Sequence, residues 1–483
     1  MIDRPPGIKA CGAYLPRLRI DRAAIGAATG WAGARGKSLR GQRSFCNWDE
    51  DSLTMAVEAA RDCVRDIDRS TIGFMALAST TLPFADRSNA SVAATALNLR
   101  EDCATLDLGS SRRAGTGALL AALDRSSAVD DALVMVADRR RARPGSEQEL
   151  VYGHGAAAVL IGRGAGLIAE LLGHASIAED FVDQYRESGR EFDYAFEERW
   201  IRDEGHLKLL PRVIDAALAR AEVGADRVAH FIAPTSVRTT QAIARASGLP
   251  ASSIVDDLRD ACGDTGTAHP LLLLSGCLGR AAPGELILVT GFGQGCDAVV
   301  LRATDNIRST GRSSFDAALA SGLADSAYLR FLSHCGVIEM DWGMRAERDN
   351  RTAQTVAWRR RREVTGFIGG RCGRCGTVQF PRTRACVNPA CRAFDTQASH
   401  ALADTGGSVK TFTEDWLAFT RSPPLIYGNV DIDGGGNLFT EFTDTQPGEL
   451  AVGTQVRFVF RIKDIDSIRG FRRYFWKAAV ARH

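Results

Sequence analysis

An α/β core of two similar halves, followed by a four-cysteine metal ribbon and a small all-β barrel, is the fold the sequence predicts, and three observations predict it. From about residue 7 to about 303, short β-branched runs alternate with Ala/Leu-rich stretches, the pattern of an α/β protein with parallel sheets. Two Gly-rich turns each feed an apolar strand and close the two halves of that region: Gly153-His154-Gly155 before residues 156–160, and Gly291-Phe292-Gly293-Gln294-Gly295 before residues 296–299. Beyond residue 366, paired cysteines give way to period-two alternation.

Taken in order, residues 73–79 and 132–137 read as strands, and residues 51–66 and 89–99 as helices with apolar residues at three- and four-residue spacing. The second strand leads into a loop holding the basic run 138–143. The repeated Gly-rich closure suits two α/β halves packed back to back, over residues 1–163 and 164–303; Gly-Ala segments also recur by chance in Ala-rich chains. Residues 304–314 are polar and read as a linker. Residues 315–362 read as helical and charge-rich, so that 304–366 forms a linker and helical segment ending in Trp358-Arg359-Arg360-Arg361-Arg362. That arginine run fits a solvated helix end or a phosphate site.

Length and composition bound the function. A chain of 483 residues exceeds one ordinary core and implies two or three domains. A formal net charge of +2 lacks the electrostatic footprint of nonspecific nucleic-acid binding. No apolar stretch has the length of a membrane span, and the opening Met1-Ile2-Asp3-Arg4-Pro5-Pro6 has no secretory h-region, so a cytoplasmic protein without membrane partners is expected. Of twelve cysteines, eight are scattered singly and four cluster, which suggests reduced, buried thiols plus one metal site.

That metal site is Cys372-Gly373-Arg374-Cys375 with Cys386-Val387-Asn388-Pro389-Ala390-Cys391. Two pairs at knuckle spacing set four thiolates around one zinc ion with no open position, which makes it structural and delimits a rubredoxin-like ribbon at 367–400. Over residues 401–483, the alternating runs 409–413, 425–432, 438–442 and 455–462, with the turn Asp433-Gly434-Gly435-Gly436-Asn437, fit a five-stranded OB-fold. Aromatic and basic residues interleave in the tail 469–477. Such a tail docks onto the barrel, clamps coenzyme A through residues such as Arg472 and Arg473, or stacks nucleic-acid bases.

Residues 7–20 and the helix start Trp48-Asp49-Glu50-Asp51-Ser52 resemble hydroxymethylglutaryl-CoA synthases, particularly the archaeal type, as do 178–186 and 204–210. The likeness covers about residues 7–303 and implies a thiolase-like, layered αβαβα fold. From Tyr328 onward the chain is similar to the zinc-ribbon/OB-fold family that accompanies thiolases, which implies acyl-CoA binding and subunit contacts. In the synthase family a cysteine takes up the acyl group, a glutamate handles the carbon acid, and a histidine in a His-x-Pro turn orients a carbonyl.

The three family positions have changed. The nucleophile segment Asp-Leu-x-x-x-Cys-x-Ala-Gly-Thr matches residues 107–116, with Arg112 in the cysteine's place. Arginine cannot be acylated, and Ser110 or Ser111 would need a neighbouring base that the sequence does not offer. Ile232 stands where the histidine belongs, in Phe231-Ile232-Ala233-Pro234, and His230 lies about 7 Å along the strand, a core or edge histidine. Thr80 takes the glutamate's place. Asp264 and His269, in the loop 263–270, form either an acid/base pair or a helix cap and a packed histidine. Lys208 matches a family lysine near the coenzyme A entrance.

Thiolate chemistry is therefore expected to be absent. The first expectation is an acyl-CoA-binding accessory subunit of a thiolase-type C–C bond-forming or cleaving complex, as a homodimer or paired with an active thiolase. The second is an enzyme of thiolate-free mechanism, a retro-aldol or retro-Claisen cleavage that uses Tyr152, His154, Asp264 and His269. An ordinary synthase is disfavoured by Arg112, and an RNA-binding module by overall charge.

Overall fold

The computed structural model describes residues 5–32, 40–126, 130–309, 314–343, 351 and 353–482. The chain gathers into two compact units: residues 1–46, 51–91 and 99–337 in the first, and 47–50, 92–98 and 338–483 in the second.

The first unit is built on β1 (Pro6–Tyr14), β2 (Ile72–Ala78), β3 (Ala104–Leu108), β4 (Asp131–Arg139), β5 (His154–Arg163), β6 (Ala169–Ala178), β7 (Val228–Ile232), β8 (Leu286–Phe292) and β9 (Gly295–Ala303). They form one nine-stranded array in the order β7-β8-β9-β6-β1-β5-β4-β2-β3. The halves join where Gly7 and Ile8 of β1 meet Glu170 and Ala169 of β6. Each half repeats one pairing: its opening strand, β1 or β6, runs antiparallel to its closing strand, β5 or β9, which runs antiparallel to the strand before it.

The array is thus mixed and not parallel as expected; only β2–β3, β2–β4 and β7–β8 are parallel. Strands buried on both faces read alike in either direction. For β8 and β9 the two-residue link Gly293-Gln294 leaves no room for a crossover, which forces the antiparallel pairing.

Five helices complete the layers: α1 (Ser52–Cys63), α2 (Ala114–Arg125), α3 (Leu207–Ala221), α4 (Val237–Ala246) and α5 (His269–Leu278). Asp51 caps α1 in a reciprocal box, accepting from Thr54 N at 3.0 Å while its own N–H donates to Thr54 Oγ1 at 2.8 Å, an arrangement that contributes about 1 kcal/mol. α1 covers β1, β5 and β4, and α3 covers β6 and β9. Between the halves lie α2 and α5, which touch each other and strands of both. Every residue of α5 is buried. Its leucines 271–274 each stabilise the middle layer by about 1.5–3 kcal/mol.

Residues 304–309 pack against the core and do not behave as a free linker. Thr304 Oγ1 and Asn306 Nδ2 both donate to Leu167 O, and Ile307 and Phe315 are buried in the core cluster. Residues 310–313 lie outside the described residues. The helical stretch expected over 315–362 is instead a set of short helices, Ser314–Ala320, Tyr328–Cys335, Gln354–Arg359 and Arg361–Val364, with 344–350 and 352 outside the described residues.

In the second unit, Ile368–Cys372 pairs with Val378–Gln379 and Gln397–Ala401 to make the ribbon. The barrel is a five-stranded antiparallel sheet of Asn437–Glu441, Leu425–Ile432, Gly406–Asp415, Gln455–Asp466 and Phe471–Val480, in that order. Leu425–Ile432 alternates half-buried and buried residues along its whole length, as a strand with one face on a core must. The aromatic tail forms the last strand: Trp476 is fully buried, stacks on Phe367 at 5.8 Å and donates Nε1 to Thr365 O at 2.8 Å. Among the described residues no helix is long and apolar enough to cross a membrane.

Candidate functional site

β3 runs through Gly109–Arg113 into α2, and this turn carries the first group of site residues. Ser110 adopts a left-handed backbone, φ +71°, an uncommon conformation for a non-glycine residue. Ser111 Oγ donates to Gly293 O at 2.8 Å and accepts from Arg113 N at 3.2 Å. The hydroxyl is engaged by backbone and has no base beside it among the described residues.

Arg112 reaches across to the loop before α5. Its Nη2 donates to Asp264 Oδ2 at 2.7 Å, and Arg259 Nη2 reaches the same oxygen at 3.3 Å. Asp264 Oδ1 accepts from Gly266 N at 2.9 Å. Burial alone raises the pKa of the Asp264 carboxyl, but Arg112, Arg259, His269 and Arg140 outweigh burial and hold it well below the usual carboxylate range. The loop needs glycine at 266, where φ is +64° and a Cβ would lie 2.4 Å from Asp138 Oδ2.

Asp264 and His269 make no hydrogen bond to each other among the described residues. His269 Nδ1 accepts weakly from Thr265 N at 3.3 Å, while its buried Nε2 makes no well-formed hydrogen bond among the described residues. Burial, only partly opposed by Asp264, pushes its pKa down to about 4, so the ring is neutral. His154 is locked: Nδ1 accepts from Cys46 N at 2.9 Å and Nε2 donates to Arg140 O at 3.0 Å. Tyr152 pairs with Asp264 through a parallel bridge. The Arg140 guanidinium lies 3.5 Å from its ring centre. Its hydroxyl is buried without a well-formed hydrogen bond among the described residues, and burial pushes its pKa up to about 12.

Thr80 packs into a different network. Its N–H and Oγ1 both donate to Asp138 Oδ1, at 2.8 and 3.0 Å, as do Ser79 and Thr81, while Thr267 N donates to Oδ2 at 2.7 Å. Asp138, fully buried at the end of β4, thereby ties the β2 loop to the α5 loop. Ile232 is fully buried in the apolar core and contributes no polar group. His230 is half-buried on the edge strand and bonded to Glu285 Oε2 at 2.8 Å, which accounts for it as an edge histidine.

Several residues at this site were not singled out from sequence. Asp193 accepts from Arg140 at 2.7 Å and Arg186 at 2.6 Å, Arg186 also donates to Thr80 O, and Gln294 donates to Asp183 at 2.6 Å. His206, at the end of the wide turn Ile201–His206, is held to a pKa of about 3 by burial and by Arg112 and Arg259. The basic run 138–143 was the available signal, since ligand sites in α/β folds gather at the carboxyl ends of strands.

Two further thiols of the first unit lie away from this turn. Cys103 precedes β3, beside Arg100 and Asp130, at the opposite end of that strand from Arg112. Cys296 Sγ contacts Leu209 O at 3.6 Å inside the apolar core, and burial pushes its pKa up to about 12. Lys208 is 61 % exposed and pairs with Glu204 at 2.5 Å. Arg472 and Arg473 lie half-buried on the last barrel strand, where Arg473 pairs with Asp464.

The four ribbon sulfurs lie within 4.8 Å of one another, with Cys372–Cys391 at 4.0 Å and Cys375–Cys386 at 3.6 Å. A tetrahedral zinc site with bonds of about 2.3 Å has sulfur–sulfur edges of about 3.8 Å, so the four thiols fit one ion.

Comparison with known proteins agrees with both units. The family model described as "ChsH2, rubredoxin-like zinc ribbon domain" matches residues 366–397, and "ChsH2, C-terminal OB-fold domain" matches residues 400–461. The hydroxymethylglutaryl-CoA synthase of Methanopyrus kandleri is 30 % identical over 312 residues, which cover 62 % of this chain and 88 % of that protein. Among solved structures, an HMG-CoA synthase complexed with CoA matches with a TM-score of 0.60 at 16 % identity, over 67 % of this chain and 89 % of its own. The 3-oxoacyl-(acyl carrier protein) synthase III of Pseudomonas aeruginosa matches with a TM-score of 0.55 at 21 % identity, over 62 % and 99 %. The fold of the first unit is thiolase-like, as expected.

Proposed function

The chain belongs to the hydroxymethylglutaryl-CoA synthase family, and from that premise we propose that it holds an acyl-CoA thioester at a site that no longer forms an acyl-enzyme. It serves a thiolase-type assembly that makes or breaks carbon–carbon bonds next to a thioester. One observation carries this reading: Arg112, in the family's nucleophile place, is tied at 2.7 Å to Asp264, whose side chain is 3 % exposed. A guanidinium there can hold a carbonyl oxygen or a negative charge but cannot take up an acyl group. Exposed Lys208 is the cation offered to a coenzyme A phosphate, and the ribbon cysteines hold a structural zinc.

Incubating the purified chain with acetyl-CoA and measuring intact mass tests the proposal. The expected outcome is binding of CoA without a covalent adduct; a stable acyl adduct sinks it.

A second reading is favoured by Tyr152 Oη and His269 Nε2, two buried polar atoms without a well-formed hydrogen bond among the described residues. In a retro-aldol cleavage the β-hydroxyl gives its proton to His269, the Cα–Cβ bond breaks to leave a carbonyl product, and the thioester enolate takes a proton at Cα. Asp264→Ala, which removes the anchor of Arg112, then abolishes turnover of a β-hydroxyacyl-CoA; unchanged turnover rules this reading out.

A further inference from the structure

Five aromatic rings form an unbroken run from the charged site to the surface. His206 meets Phe292 edge-on at 4.4 Å. Phe292 meets Phe181 at 6.2 Å and 69°, Phe181 lies nearly parallel to Trp200 at 5.8 Å and 12°, and Trp200 meets Phe196 at 6.2 Å and 78°. These are the offset-stacked and edge-to-face geometries that aromatic pairs prefer. At the inner end, His206 lies within the electrostatic reach of Arg112 and Arg259. At the outer end, Trp200 and Phe196 are 44 % and 46 % exposed.

The local sequence is shaped around this run. A Cβ at Gly205 would lie 2.6 Å from the Phe181 ring and 3.0 Å from that of Phe292, so a side chain there would push the rings apart. The segment that supplies Phe181, Phe196 and Trp200 also supplies Asp183 to Gln294 and Asp193 to Arg140 and Arg186. One stretch of chain therefore carries both acidic partners of the charged site and three of the five rings.

We propose that the acyl group received at this site is planar and ring-bearing, and that it lies along the run from Phe292 to Trp200 with the thioester toward Arg112. This inference rests on the acyl-CoA reading above and adds the substrate class to it. A flat ring extends the parallel Phe181–Trp200 stack and finds ring edges at Phe292 and Phe196. A short acyl group offers these rings no flat face, and a linear chain gains apolar contact without stacking. A charged acyl group would have to be desolvated against apolar rings.

Titration calorimetry of the full chain with CoA, acetyl-CoA, octanoyl-CoA, phenylacetyl-CoA and 2-naphthoyl-CoA tests the proposal. The aromatic thioesters are expected to bind about tenfold or more tightly than acetyl-CoA, and more tightly than octanoyl-CoA. In Trp200→Ala that preference falls at least about fivefold, and in Trp200→Phe, which keeps a stacking face, most of it returns. Trp200 is already half exposed, so its loss does not threaten folding. Equal binding of octanoyl and aromatic thioesters overturns the inference and leaves the acyl-CoA reading standing, whereas failure of every CoA species to bind removes both. If Trp200→Ala instead alters sedimentation of the assembly and leaves the preference intact, the rings serve a subunit contact and the inference is wrong.

Discussion

Arg112 and Asp264, 152 positions apart in the chain, share an ion pair whose carboxylate is almost wholly buried. The pair resolves a local conflict. A cation at the start of α2 opposes the positive end of the helix dipole, and a carboxylate beside it offsets that repulsion.

Removing one member leaves the other exposed to that conflict. Arg112→Ala leaves Asp264 only the longer ion pair to Arg259, at 3.3 Å, among the described residues, and stability is expected to fall by about 2–4 kcal/mol in urea unfolding. Arg112→Ala combined with Asp264→Ala costs less than the sum of the two single changes, because the double variant leaves no buried charge unpaired. Additive losses would show that the two side chains act independently.

Acid should destabilise the first unit before its carboxylates titrate. His269 is held at a pKa of about 4, His206 at about 3 and His154 well below its ordinary value, in each case chiefly by burial. A depressed folded-state pKa means that the unfolded chain binds the proton first. The stabilisation is complete above about pH 6.5 and declines as pH falls toward the folded values. Each histidine contributes up to about 1.4 kcal/mol per pH unit in that window. His269→Gln removes one such proton, so its melting temperature should fall less steeply between pH 6.5 and 4.5 than that of the unaltered chain. A parallel decline would contradict the assignment.

Metal removal should open the ribbon selectively. Arg371, Arg374, Arg382, Arg384 and Arg392 surround the four cysteines, and each is a trypsin site. When elemental analysis gives one zinc per chain, these bonds are expected to resist brief digestion. After chelation they become the first to be cut, because a ribbon this small lacks an apolar core to replace the ion. Cleavage at the same rate after the metal has been stripped would show that the ion does not hold this fold.

What the sequence made legible depended on how local the determining physics was. Cysteine spacing located the ribbon because both knuckles are short segments, and alternation located Leu425–Ile432 to the residue because one face is buried and the other is not. The likeness of residues 107–116 to the family's nucleophile segment is a local pattern, but the partner of Arg112 is not, since the 152-residue separation is closed only by packing α2 against the loop before α5. Asp138 was noticed only as the start of a basic run. Its role as acceptor for Ser79, Thr80, Thr81 and Thr267 arises where three separate segments converge. Strand direction was invisible for the same reason: β4, β5, β8 and β9 are apolar on both faces whichever way their neighbours run.

The second unit contains a buried charge whose partners no local pattern announces. Lys477, 3 % exposed in its side chain, donates to Asp49 Oδ2 and Glu441 Oε2, each at 3.0 Å, and its ammonium lies 4.4 Å from the centre of the Trp48 ring. Burial opposes the charged form, yet the two carboxylates win and raise the lysine pKa, while Lys477 and Lys463 bring that of Glu441 down to about 2. Lys477→Met keeps the apolar stem but leaves two carboxylates facing each other in a dry site, and is expected to cost about 3–5 kcal/mol. Asp49→Asn in the same chain removes one of those charges and should restore part of the loss, whereas Asp49→Asn alone is milder because Glu441 still pairs with the lysine. If Lys477→Met were neutral in urea unfolding, the ammonium would be a passenger on barrel packing that Trp476 and its neighbours already secure.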